Sequence, residues 1–252
     1  MERAGKGMVT PEFIYPEWPA PQNVRALTTT RIGGYSAAPF DSFNLSLRSG
    51  DNIEHVKRNR ALLIESAGLP AEPLWLRQVH GNRVIDAADS EPYSEADGSY
   101  TQQPRVVCAV LTADCCPVFL CDRHGNRVAV LHCGWRGIAR GLIEQGVACM
   151  KVPVVDLLGW LGPAIGPGSF EVGDDVYEAF TVHNRDAAAA FERQENGRWL
   201  ADIYTLVRLR LQALGVTQIF GANYCTVLER QRFFSYRRDR VCGHMASLIW
   251  MV

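Results

Sequence analysis

Apolar residues in this chain cluster in short β-branched runs closed by polar or glycine-containing turns. Val106 to Leu111 and Arg127 to Leu131 are the clearest, and both predict strands. VTQIF (Val216 to Phe220) and the C-terminal SLIWMV predict two more, the last one buried. Residues 74 to 86 predict a strand, a turn at His80-Gly81-Asn82 and a second strand through Val84 and Ile85. The period changes in GDNIEHVKRNRALLIESAGLP, where Ile53, Val56, Arg60, Leu63 and Ala67 share one helical face. Asp51 is placed to cap that helix, and Gly68 and Pro70 to end it. A second helix is expected from near Arg136, with Ile138, Leu142, Ile143, Gly146 and Cys149 or Met150 inward. A short one follows from about Asp174, and another is capped by Asp202 and closed by Gly215.

The remaining segments read as connections. Residues 11 to 24, rich in proline, form an extended lead-in. Ala26 to Leu47 opens strand-like, breaks at Gly33 and Gly34, and continues as an ordered loop over the site. Residues 186 to 198 read as a polar surface excursion. Strands outnumber helices without alternating with them, which points to a single α+β domain instead of a doubly wound sheet. No three-glycine dinucleotide fingerprint is present.

Composition narrows the function classes. A chain of 252 residues with 47% hydrophobic and 21% charged residues can bury one large core. The formal net charge of −1 provides no field toward nucleic acid or membrane. No apolar run suggests a membrane span, and the N-terminus lacks the apolar core of a secretory signal, so a cytoplasmic protein is expected. Five of the eight cysteines fall between Cys108 and Cys133 on strand-like runs. They read as free core thiols, not staples between loops.

Reactive side chains stand where the apolar runs stop: Thr112, Asp114 and Cys115 after one, His132 after another, His80 after a third. Two imidazoles and a thiol suit a zinc site with an open fourth position. The same groups suit a Cys115 thiolate with a histidine base, so the residues alone leave both open. Cys116 would face the other way if its strand continues. Arg136, in CGWRG at a helix start, offers an anion site or a partner for Asp114. Arg31 precedes a Gly-Gly turn where backbone can approach a ligand closely. The glycines at 162, 166, 168 and 173 mark a candidate substrate wall or a simple turn. His55, His124, His183 and His244 are expected to face solvent, and the Arg237-Arg238 tail is not read as a nucleic-acid surface.

TTTRIGG, FNLSLRSGD, NRALL, WLRQVHG, ADGSYT, CAVLTADCCPVFL, VAVLHCGWRG, LGPAIGPGSFEVG and FFSYRRD together closely resemble the YfiH family, also called the laccase-domain or polyphenol-oxidase family. The resemblance runs from about residue 12 to the end, leaving 1–11 as a flexible extension to a domain over 12–252. It implies a four-layer αββα fold with mixed sheets and a metal held by His80, Cys115 and His132. It implies zinc, with copper as the alternative metal. The implied activity is phosphorolysis of adenosine, inosine or methylthioadenosine, with deamination of adenosine. Purine nucleoside and phosphate are then the partners, Arg31, Asn44 and Arg136 the candidate substrate and phosphate residues, and a monomer or homodimer the assembly. Two alternatives attach to the same family: editing hydrolysis of cytoplasmic peptidoglycan precursors, and copper oxidation of phenols. Six histidines cannot build a four-copper assembly.

Overall fold

The computed structural model describes residues 10–182 and 184–252. The expected extension therefore falls outside the described residues except for Thr10 and Pro11, as does His183. Two sheets stack face to face, each backed by helices. The first is antiparallel, ordered β1 (Phe13–Ile14), β2 (Val24–Thr29), β13 (Met245–Met251) and β5 (Cys108–Thr112). The second is mixed, ordered β12 (Gln218–Gly221), β8 (Leu157–Leu161), β6 (Cys116–Asp122), β7 (Val128–Cys133), β4 (Gly98–Thr101) and β3 (Val84–Asp86). Its two parallel pairs, β12 with β8 and β3 with β4, lie at its edges.

Three apolar clusters fill the spaces between four layers. Phe119, Cys121, Val130 and Trp160 meet Cys108, Val110, Met245 and Ile249 between the sheets. On the outer face of the antiparallel sheet, Leu27, Ala109 and Leu248 pack with Leu63 of helix α1 (Ile53–Ala67). On the outer face of the mixed sheet, Val118, Leu120, Leu131 and Leu161 pack under helices α2 (Trp135–Ala139), α3 (Leu142–Met150), α4 (Asp174–Thr181) and α5 (Ile203–Ala213). The result is the expected α+β, αββα architecture. Every residue of β6, β7, β8 and β13 is buried, because these strands are covered on both faces. That is why they read as continuous apolar runs.

Several local expectations change. Asn52, not Asp51, caps α1 by accepting from Glu54 N at 2.9 Å; the Asp51 carboxylate instead accepts from Asn44 and from Asn52 N. Residues 74 to 77 form only isolated bridges, Leu74 to Cys108 of one sheet and Arg77 to Glu95 beside the other. A segment passing between two sheets can ladder with neither. The helix expected from Arg136 breaks into α2 and α3 at Gly141, whose φ of +86° is left-handed. Residues 185 to 201 are more regular than a loop: a 3₁₀ turn, then β10 (Phe191–Arg193) and β11 (Trp199–Ala201), which join β9 (Glu171–Val172) in a small third sheet.

Candidate metal centre and surrounding pocket

Three backbone breaks deliver the reactive groups to one point. β5 ends at Thr112 and β6 begins at Cys116, so Cys115 sits in the crossing between the two sheets. Asp114 holds that crossing in place. Its carboxylate accepts from Thr226 Oγ1 and Arg237 N, both at 2.6 Å. It does not pair with Arg136. His132 lies within β7, one residue from its end, and Cys116 and Cys133 face each other across β6 and β7 in the helix-side core. Cys116 is thus packing, on the face away from the pocket.

The candidate ligand atoms of His80, Cys115 and His132 lie within 4.8 Å of one another. Cys115 Sγ is 3.8 Å from His80 Nε2, and the two imidazole rings meet edge to face at 4.8 Å. Gly134 makes this convergence possible. A Cβ there would stand 2.8 Å from Cys115 Sγ and 2.9 Å from His80 Cδ2.

Asp97, immediately before β4, is wholly buried and organises both histidines. Its carboxylate accepts from His132 Nδ1 at 2.9 Å, leaving Nε2 as the nitrogen available to the cluster. It also accepts from the amides of Val79, His80 and Gly81 at 3.2, 2.9 and 2.7 Å. His80 itself is held at φ +58°. Burial alone would raise the Asp97 pKa, but His132 and these amides hold it below the ordinary value. Burial would likewise raise the Cys115 thiol, yet His132 and then His80 bring it down to about 6. His132 is raised to about 9 against its own burial, first by the Cys115 charge and then by Asp97. In the protein alone the pair is thiolate and imidazolium near neutral pH, while the neighbouring Cys116 thiol is pushed up by burial.

The cluster opens into a cavity of about 690 Å³, within the usual range for small-molecule sites. Ile165 and Phe170 of the glycine-rich 162–173 segment form part of its wall. Arg136 lines it too, exposed, with its guanidinium 4.4 Å from the Trp135 ring. Arg48 and Arg240 line it elsewhere, and among the described residues none of these three guanidinium groups has a carboxylate partner. The five-residue α2 is too short to act as an anion site through its own dipole, so Arg136's side chain is what remains of that reading.

The other candidates sit differently. Arg31 borders a second depression and is committed to Asp41, through its carbonyl at 2.8 Å and its carboxylate at 3.3 Å. Asn44 is fully buried and wires the loop: its amide donates to Ser49 Oγ and Asp51, and its carbonyl oxygen accepts from Ser46 N and His244 N. His244 was expected in solvent but lines the cavity, with Nδ1 buried and without a hydrogen-bond partner among the described residues. Burial, then the charge on His132, lowers it to about 4, so it is neutral at pH 7. His55 also buries its Nδ1, whereas His124 is exposed as expected. Asp97, Arg48, Arg240 and His244 were missed. Only the Asp-Gly of ADGSYT offered a signal, and it reads equally well as a turn.

Residues 25–252 match the family model described as multi-copper polyphenol oxidoreductase laccase. The chain belongs to that family. Within it, the chain is 50% identical over 243 residues to the Escherichia coli protein named purine nucleoside phosphorylase YfiH, covering 96% of this chain and 99% of that one. A Haemophilus influenzae protein named purine nucleoside phosphorylase is 48% identical, over 95% of this chain and 99% of its own length. A crystal structure from Neisseria meningitidis superposes with a TM-score of 0.92 at 48% identity, covering 95% of this chain and 98% of that one. YlmD from Geobacillus stearothermophilus gives 0.87 at 29% identity, covering 95% and 96%.

Proposed function

We propose that this chain is a zinc-dependent purine nucleoside phosphorylase acting on adenosine, inosine and methylthioadenosine, and that it also deaminates adenosine. The observation that carries the reading is the convergence of His80, Cys115 and His132 in a cavity also lined by Arg48, Arg136 and Arg240, whose guanidinium groups have no carboxylate partner among the described residues. The names of the E. coli and H. influenzae relatives support it.

The residues present fit a divalent ion. Two imidazole nitrogens and a thiolate form a three-ligand set of the kind open zinc sites use, and Gly134 keeps the space between them free of side chain. Blue-copper sites use a similar two-imidazole, one-thiolate set with a weak axial Met, Gln or backbone oxygen, so copper is the competing metal for these three ligands. When bound, zinc supplies Lewis acidity and lowers the pKa of a water, the chemistry that deamination requires.

The protein's own groups offer contacts to the phosphate and to the base. Phosphorolysis forms a bond between phosphate oxygen and C1′, breaks the C1′–N9 bond, and returns a proton to the departing purine. In this reading Arg136, exposed and without a carboxylate partner among the described residues, holds the phosphate; Arg48 and Arg240 lie on the same cavity. Arg31 and Asn44, each already committed, take no such part in this reading. Trp135 and Phe170 offer apolar surface to a base, and neutral His244 a hydrogen-bonding nitrogen.

Zinc-loaded protein incubated with inosine and phosphate is expected to give hypoxanthine and ribose 1-phosphate, and with adenosine alone to give inosine and ammonia. Chromatography of the products checks both. No base release from zinc-loaded protein would overturn the phosphorylase reading, and no inosine the deaminase part.

A further inference from the structure

The two histidines of the candidate metal centre come from segments far apart in the chain, yet one side chain fixes both. Asp97 accepts four hydrogen bonds: one from the His132 ring and three from consecutive amides of the turn carrying His80. The backbone of Asp97 adds two more ties, since its carbonyl accepts from His132 N at 2.7 Å and its amide donates to Arg83 O at 2.9 Å. A buried charge with this many donors is well satisfied, and no other cation is needed to neutralise it.

We infer that Asp97 is a positioning residue that assembles the centre by two actions of one carboxylate, which meet at Oδ1. It selects the His132 nitrogen that faces Cys115, by taking the proton on Nδ1. It also clamps the 79–81 turn with His80 in the left-handed conformation that aims its ring at the same point. This rests on the metal-site reading above and goes beyond its three ligands. Outer carboxylates of this kind typically alter metal affinity by about 10–100-fold.

An Asp97→Asn substitution separates charge and tautomer from bulk. The oxygen in the place of Oδ2 can still accept from Val79 N and Gly81 N, but the amide nitrogen in the place of Oδ1 then donates toward His132 Nδ1 and no longer accepts from His80 N. That places the imidazole proton on Nε2, where it blocks ligation. The expected result is a Zn²⁺ affinity at least tenfold weaker, measured on metal-free protein by competition with a chromophoric chelator. Far-UV circular dichroism should be unchanged. Asp97→Glu, which keeps the charge, is expected to recover part of the loss. Ser99→Ala, on the same strand with a buried hydroxyl outside the cluster, is the control for general damage to β4 and is expected to bind zinc normally. In zinc-loaded unsubstituted protein, NMR should show a slowly exchanging, downfield His132 Nδ1 proton, which keeps the test available if Asp97→Asn does not fold. Asp97→Asn binding zinc within twofold of the unsubstituted protein, or absence of that proton, overturns the inference. Failure of the unsubstituted protein to bind zinc removes the metal-site reading itself, a distinct outcome.

Discussion

Gly134→Ala tests whether the empty space between the three reactive groups is a requirement. Gly134 has φ −73° and ψ 155°, which alanine adopts without strain, so the substitution adds bulk and nothing else. The new methyl would stand 2.8 Å from Cys115 Sγ and 2.9 Å from His80 Cδ2, where ordinary contact begins at 3.4 Å. The sulfur must therefore retreat by 3.4 − 2.8 = 0.6 Å and the ring by 3.4 − 2.9 = 0.5 Å, or the backbone must shift as far. Metal–ligand distances tolerate only about 0.2 Å. His80 cannot yield freely, because Asp97 clamps its turn, and Cys115 is fixed through the Asp114 anchor beside it. Zinc affinity is expected to fall at least tenfold, with phosphorolysis falling in parallel. Folding stability should drop by only about 1–3 kcal/mol from overpacking, measured by urea unfolding of the metal-free protein. Chelator competition gives the affinity. A Gly134→Ala protein that binds zinc like the original would refute the view that this cradle sets ligand geometry.

Cys115→Ala should abolish both zinc binding and base release, read by elemental analysis and chromatography; retained activity would exclude metal and thiolate chemistry at this position alike. In metal-free protein, iodoacetamide should modify Cys115 with a rate rising around pH 6, since its pKa is lowered from 9.0 to about 6; Cys116, raised by burial, should stay unreactive. The sign follows from the partner: Cys115 is a thiolate above about 6, and His132 keeps its positive charge until about 9, so the charged pair spans that window. Arg136→Ala should raise the KM for phosphate severalfold while leaving the thermal midpoint within about a degree or two, because an exposed side chain contributes little to stability. Leu131→Ala, at a fully buried position between β7 and α3, should cost about 2–5 kcal/mol in urea unfolding.

The three candidate ligands were legible in sequence because each stands at or just past the end of an apolar run. A side chain able to bind metal stands out against Val, Leu and Ile, and strands covered on both faces produce such runs. The outline of the fold was legible for the same reason: β5, β7 and β13 announce themselves. Strand partners were not. β13 comes from the far end of the chain and inserts between β2 and β5, a contact that no local pattern encodes. The Gly141 break was also hidden, since apolar spacing runs through it and only the left-handed backbone divides α2 from α3.

Asp97 was missed for a deeper reason. In ADGSYT it looks like any Asp-Gly turn, and its identity as an organiser depends on two segments it meets only after folding. Those contacts follow from the layering. Where β4 and β7 begin and end beneath covering layers, their last polar groups lose water and must find partners inside the protein. A carboxylate can accept several donors at once, so one buried aspartate satisfies the amides of the 79–81 turn and the nearby ring nitrogen together. The same act that closes the hydrogen-bond ledger at the strand ends orients two imidazoles toward a sulfur. Fold and site are thus linked through a residue that contributes no ligand atom. Sequence patterns reveal groups that do chemistry more readily than groups that hold them still, because the second role is defined by geometry alone.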